Sequence, residues 1–255
     1  MRLTTIGTGT ASPSPARVNA GHLVEAGAVR LLVDCGSGVV HRMATLGIDW
    51  FGITHLALTH FHPDHTLDLT TLFYAWKYGT LPQRTAPLQC IGPPGTAALL
   101  ARFAELYGGA MSAPSWPLEV TELPRGAGLD LGGGTRLDTL AVPHCEESVA
   151  YSIQRGGRRI VYTGDTGESE SLGEWAHGCD VLLAECSLPD AMAIPAHLTP
   201  ARCAALAARA APGRLALTHF YTVVEREDIR GAIAPQYGGP VTLTWDGWDI
   251  ELEEH

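Results

Sequence analysis

Thr59-His60-Phe61-His62-Pro63-Asp64-His65 places three histidines and an aspartate within six residues. The apolar run Ile53-Thr54-His55-Leu56-Ala57-Leu58 leads straight into it, and such a run bounded by polar residues reads as a buried strand. The cluster then sits where that strand ends and the chain turns. Residues two apart on a strand point the same way, so His60 and His62 can bind one metal ion together. Pro63 has no amide hydrogen to continue a ladder and redirects the chain. That turn aims Asp64 and His65 at a neighbouring point, close enough for a second ion. Neutral imidazole and carboxylate are ordinary zinc ligands.

The same pattern recurs outward from the cluster. Upstream, residues 2–6 read as a strand, and Gly7-Thr8-Gly9-Thr10-Ala11-Ser12-Pro13-Ser14-Pro15 is a long turn without the glycine spacing or lysine of a nucleotide loop. The runs at 22–25 and 30–33 form a hairpin that ends in Asp34-Cys35-Gly36. Downstream, Leu69, Leu72, Phe73 and Trp76 repeat at helical spacing, so an amphipathic helix leaves the cluster. Tyr74, Tyr78 and Trp116, the last in a loop over 110–117, are candidates to line a pocket, as is Trp76. Further strands end in Pro143-His144, in Gly164-Asp165, in Glu185-Cys186-Ser187 and in His219. His197-Leu198-Thr199-Pro200 opens a helix with Thr199 as N-cap. Val241–Trp245 and Trp248–Leu252 read as a closing hairpin turned by Asp246-Gly247.

With 255 residues, 45% of them hydrophobic, the chain can bury a full core, and one domain over 1–255 is the simpler reading. No apolar stretch approaches the length of a membrane span, and the N-terminus has no signal-peptide core. Six cysteines without paired spacing indicate reduced thiols. A cytoplasmic protein is expected. The net charge of −10 argues against a broad nucleic-acid surface, while leaving room for a small anionic substrate.

Polar residues that bind metals thus recur at the carboxyl ends of strands, where layered α/β folds place their chemistry. Together His60, His62, Asp64, His65, His144, Asp165 and His219 are enough for two ions. In this the chain resembles the metallo-β-lactamase superfamily, whose pattern is His-x-His-x-Asp-His, then an isolated His, an Asp in a Gly-Asp turn and a final His. The resemblance runs from Thr4 to His219. It implies a four-layer αββα sandwich of the α/β class. It also implies that His60, His62 and His144 hold one ion, that Asp64, His65 and His219 hold the other, and that Asp165 bridges them. By the same resemblance, Asp34 orients a ligand histidine.

The features beyond the ligands resemble the ribonuclease Z-like branch: the opening Gly7-Thr8-Gly9-Thr10-Ala11-Ser12-Pro13 with Asn19, and the pair His197 and Thr199. That branch implies a phosphodiesterase with two zinc ions sharing a bridging hydroxide, manganese or iron being compatible. Asp64 and His197 are its catalytic candidates, His197 as the proton donor to the leaving oxygen. Its transfer-RNA-gripping arm has no room in the interval between His144 and Asp165. The expected substrate is therefore a small anionic phosphodiester, with extended nucleic acid unlikely, no membrane partner, and a homodimer as the branch implies. Alternatives are an arylsulfatase, lactonase or thioesterase on the same metals, and a non-catalytic metal-binding scaffold.

Overall fold

The computed structural model describes residues 1–254, and its layers follow from strands that are apolar on both faces. β1 (Arg2–Gly7), β2 (Gly21–Ala26), β3 (Val29–Val33), β4 (His55–Ala57), β5 (Leu88–Gly92) and β6 (Leu118–Glu122) lie side by side in that order in a first sheet. β7 (Gly128–Gly132), β8 (Thr135–Ala141), β9 (Val149–Arg155), β10 (Arg158–Tyr162), β11 (Val181–Glu185), β12 (Arg214–Thr218) and β13 (Val241–Leu243) form a second. β14 (Asp249–Glu251) returns to the first sheet beside β1.

Alternation along the strands decides what packs where. On β3, Leu31 and Val33 enter the core between the sheets while Leu32 faces outward. On β11, Val181 and Leu183 point inward and Leu182 and Ala184 outward. Both outer faces are covered by helices, so these strands read as unbroken apolar runs. α1 (Val39–Thr45), the single turn α2 (Pro63–Thr66), α3 (Asp68–Tyr78), α4 (Thr96–Tyr107) and α5 (Gly109–Ser112) belong to the first half. Val39, Met43, Leu69, Leu72, Phe73 and Trp76 pack there on Leu32 and Leu56. α6 (Glu170–Trp175), α7 (Pro200–Ala210) and α8 (Ile229–Ile233) cover the second sheet. The layers run helix, sheet, sheet, helix, the four-layer sandwich expected. β9 and β10 fill the interval between His144 and Asp165, which leaves no arm there.

Three local expectations are corrected. Asp246-Gly247 turns no hairpin, because β13 pairs with β12 and β14 with β1, so the chain crosses between sheets at this point. Asp246 fixes the crossing: Oδ1 accepts from the Thr8 amide (3.0 Å) and hydroxyl (2.6 Å), and Oδ2 from the Val18 amide (2.8 Å). Turn chemistry is local, and here these distant partners decide the path instead. Trp116 is part of the core rather than a pocket wall; it is 4% exposed, with ring centroids 5.4 Å from Phe73 and 5.5 Å from Trp76, because burying an aromatic this large outweighs its polar neighbours in sequence. Thr199 holds the N-cap position of α7, yet its side chain makes no cap bond, and Asp190 Oδ1 accepts from the Ala201 amide at 3.1 Å instead.

Arg84 is buried beneath this first layer. Its Nη1 donates to Phe51 O (2.6 Å) and its Nη2 to Ile53 O (2.7 Å) and Pro87 O (3.0 Å), with the guanidinium 4.5 Å above the Trp76 ring.

Candidate active site

Parallel pairing of β3 with β4, of β10 with β11 and of β11 with β12 brings the carboxyl ends of these strands to one edge of the sandwich. Asp34 follows β3, Asp165 follows β10, Glu185 ends β11 and His219 follows β12. His60 lies three residues past β4, and His62 is the extended N-cap residue of α2, with Pro63 as its first helical residue. Pro63 therefore starts a helical turn that swings Asp64 and His65 back toward the strand ends. The turn is stitched down by the Ala20 amide on Asp64 O (3.1 Å) and the Cys35 amide on His65 O (2.7 Å). Gly36 permits that approach, since a Cβ on it would stand 1.8 Å from Asp64 O.

Asp34 organises the buried side of the cluster. Its backbone is in the left-handed region (φ 58°), as is that of His219 (φ 59°), a conformation Asp and His tolerate better than most residues. Asp34 Oδ1 accepts from the Thr59 amide at 2.8 Å, and Oδ2 lies 2.9 Å from Thr59 Oγ1 and 2.8 Å from His65 Nδ1. Thr59 Oγ1 donates to Asp34 and so accepts from His60 Nδ1 at 3.0 Å. His144 Nδ1 donates to Ala196 O at 3.0 Å, and His219 Nδ1 to Ser187 Oγ at 3.0 Å, that hydroxyl in turn donating to Glu185. The hydrogen bonds assign all four tautomers alike. Each of these rings spends its Nδ1 proton on a neighbour and keeps the Nε2 lone pair free, the arrangement second neighbours impose on metal-binding histidines.

Those free nitrogens converge. His60 Nε2 and His144 Nε2 stand 3.0 and 3.1 Å from His62 Nδ1, and His65 Nε2 stands 3.3 Å from His219 Nε2. Ligand atoms about 2.0–2.1 Å from a tetrahedral zinc are roughly 3.3 Å from one another. Donor atoms of His60, His62, His144 and Asp165 form one group, and those of Asp64, His65, Asp165 and His219 a second, each within 4.8 Å of one another. Asp165 belongs to both. Its Oδ1 is buried without a hydrogen-bond partner, 3.3 Å from His65 Nε2 and 3.3 Å from His219 Nε2. A buried carboxylate oxygen left unpartnered is costly unless a cation satisfies it, so the donor set fits divalent metal.

Electrostatics divide the rings. Burial, with His65 beside it, holds His60 far below its usual value, and burial with His144 lowers His62, so both are neutral donors. Burial opposes a proton on His65 too, yet the charges of Asp165 and Asp34 raise it well above the normal range. Burial likewise works against an ionised Asp165, but His219 and His65 carry it well below. A cation arriving here competes with the His65 proton.

On the other side, His197 Nδ1 meets Glu185, and the rings of His144, His219 and Tyr221 surround it at centroid distances of 4.9, 6.0 and 6.4 Å. Burial lowers His197, but the hydrogen bond and charge of Glu185 outweigh it and leave its pKa raised. Glu185 Oε1 also accepts from the Thr166 amide at 2.6 Å, next to Asp165. Sequence reading assigned no role to Glu185 or Tyr221. The signal for Glu185 was present, an acid closing a fully apolar strand; Tyr221 offered only its place two residues after His219. Tyr74, Trp76, Tyr78 and Trp116 do not join the cluster: Trp76 and Trp116 are core, and Tyr74 and Tyr78 are exposed, the Tyr74 hydroxyl donating to Tyr107 O.

Comparison with known proteins adds to this geometry. Residues 29–220 match the family described as the beta-lactamase superfamily domain. The ribonuclease Z of Mycobacterium bovis is 30% identical over 276 residues, covering 99% of this chain and 98% of that protein. Among solved structures, a metallo-β-lactamase fold protein from Bacillus subtilis superposes with a TM-score of 0.82 at 23% identity, over 98% of each chain. Human tRNase Z, short form, superposes at 0.81 and 24% identity over 99% of this chain and 100% of that one. The expectation that extended nucleic acid is an unlikely partner is corrected by the full-length similarity to proteins named as ribonucleases. Net charge misled because it sums the whole surface, whereas a substrate phosphate meets the local field of the site.

Proposed function

Since the chain belongs to the beta-lactamase superfamily, in its ribonuclease Z-like branch, and is a metal-dependent hydrolase, we propose that it is a dinuclear-zinc phosphodiesterase that cleaves phosphodiester bonds of RNA. The observation that carries the reading is Asp165, whose unpartnered Oδ1 faces His65 and His219 while its Oδ2 faces His60 (4.0 Å) and His144 (3.8 Å), so that one carboxylate belongs to both groups. His60, His62 and His144 would hold one ion, Asp64, His65 and His219 the other, with Asp165 shared; manganese or iron suits the same donors. Bound there, two divalent ions supply an activated water and neutralise charge developing on phosphoryl oxygens. Asp34 holds His65 in the tautomer that presents Nε2. Asp64, in the first turn of α2 with Oδ2 3.5 Å from His219 Nε2 and 3.9 Å from His65 Nε2, is the second catalytic candidate, as acceptor for a water proton. His197, positioned by Glu185, delivers a proton to the departing alkoxide. Thr199 holds the N-cap position of α7, two residues after His197.

Residues 1–255 are read as one domain, supported by the core shared between the two sheets. Six free cysteines support a reducing compartment, the cytoplasm. In the described residues no helix is long and apolar enough to cross a membrane. The test is hydrolysis by protein of known metal content, with bis-p-nitrophenyl phosphate and a short RNA beside p-nitrophenyl sulfate, an aryl ester, a lactone and a thioester. Preference for the phosphodiesters with two metals per chain supports the proposal. A sulfate, lactone or thioester turned over faster by orders of magnitude replaces it with that hydrolase, and no turnover in fully metallated protein replaces it with a metal-binding scaffold.

A further inference from the structure

Beside the histidine cluster lies an open cavity of about 490 Å³ lined by Phe61, Pro94, Pro124, Arg125, Glu146 and Glu147. Its walls come from the loops at the site's own edge. Phe61 stands between His60 and His62, Pro94 follows β5, Pro124 and Arg125 follow β6, and Glu146 and Glu147 follow His144 and Cys145. A ligand held at the histidines therefore has this cavity as its immediate neighbour.

Phe61 is half-buried, and the Cε2–Cζ edge of its ring takes the space beside Gly95, where a Cβ would stand 2.9 and 3.4 Å from those atoms. Gly95 is itself in the left-handed region (φ 107°), and its amide donates to Glu122 Oε1 at 3.1 Å. The ring is thus held along one edge while it lines the cavity. Two prolines give flat apolar walls, and the exposed Arg125 and Glu146 bring charge of both signs to the rim.

An aromatic ring, apolar walls and a mixed-charge rim next to a phosphodiester site match the makeup of a nucleotide. Bases stack on aromatic side chains in a way that tolerates sequence, carboxylates accept hydrogen bonds from exocyclic amino groups, and a guanidinium pairs with phosphate. We propose that this cavity is a nucleobase subsite, in which the base next to the scissile phosphate stacks on Phe61 with its amino edge toward Glu146 and Glu147, and a flanking phosphate meets Arg125. The assignment rests on the phosphodiesterase reading and adds to it a preference for amino-bearing bases, guanine above uracil.

The experiment compares the p-nitrophenyl 5′-phosphodiesters of guanosine, of uridine and of base-free ribose on metallated enzyme. The guanosine compound is expected to exceed the base-free one in kcat/KM by about tenfold or more, the size of one base–aromatic stack. Phe61→Ala should bring that ratio toward one and Phe61→Trp should keep it, which separates stacking from damage to the neighbouring histidines. Glu146→Gln with Glu147→Gln should erode the guanosine-over-uridine preference while leaving the preference for any base over none. A ratio near one in the unaltered enzyme, or a ratio that Phe61→Ala leaves intact, overturns the subsite alone. Failure to cleave all three compounds, the base-free one included, overturns the phosphodiesterase proposal and the subsite with it.

Discussion

His197 Nδ1 stands 3.0 Å from Oε1 and 3.1 Å from Oε2 of Glu185, a carboxylate fully buried at the end of β11. Glu185 is also held by the Thr166 amide and the Ser187 hydroxyl, so its position is set by β11 and by the loops that follow β10 and β11. The imidazole inherits that rigidity. Its Nε2, with no hydrogen bond among the described residues, is the nitrogen left to act.

His197→Ala should keep its metal and lose about 10²–10⁴-fold in turnover on diesters with poor leaving groups. The loss should shrink with p-nitrophenolate, which leaves without a proton. Equal losses on both substrate types would reject the acid role.

Glu185→Gln should shift the pH profile. As an acid His197 acts protonated, and Glu185 raises its pKa, so activity persists to higher pH and falls as pH rises through that value. Removing the charge lowers the pKa and moves the alkaline fall of kcat/KM to lower pH. A profile that loses amplitude without moving would assign Glu185 a purely structural part.

Asp34→Asn should weaken metal binding by about 10–100-fold, the usual effect of losing a partner behind a ligand histidine. Asparagine accepts the left-handed backbone at this position, so the fold should survive. Titration against a competing chelator reads the change directly.

Metal removal should lower the thermal midpoint, because donors from both sheets converge on each group. Site occupancy at 1,000 times Kd corresponds to about 4 kcal/mol. Asp165 and Asp34 favour a proton on His65 that an arriving cation must displace, so binding should release protons and weaken as pH falls. Calorimetry in buffers of different ionisation enthalpy measures the release.

Arg84→Met should keep the packing on Trp76 but strip the carbonyls of Phe51, Ile53 and Pro87 of their donor. A loss of roughly 2–4 kcal/mol in urea unfolding is expected, with specific activity of the folded fraction unchanged.

Much of this molecule was legible because its chemistry sits at strand ends. Apolar runs announce β3, β4, β10, β11 and β12, and a polar residue just beyond such a run belongs to a loop at the sheet's edge. What the sequence hid depends on contacts between distant segments. The packing of Trp116 on Phe73 and the crossing at Asp246 are set by partners remote along the chain. The grip of Glu185 on His197 joins residues twelve apart in sequence whose meeting depends on how the chain after β11 folds back. The expectation that extended nucleic acid is an unlikely partner failed for a related reason, since a sum over all charges carries no information about where they lie.

The crossing at Asp246 also sets a schedule for the nascent chain. β1 has its second neighbour only when β14 arrives, a pairing that joins Arg2 to Glu251. During synthesis the β1 edge therefore stays uncapped until the whole second sheet has been made. Contacts so distant in sequence slow folding, and an open strand edge in the meantime is a template for association with other chains. The last few strand residues thus act as a late seal on an edge laid down first.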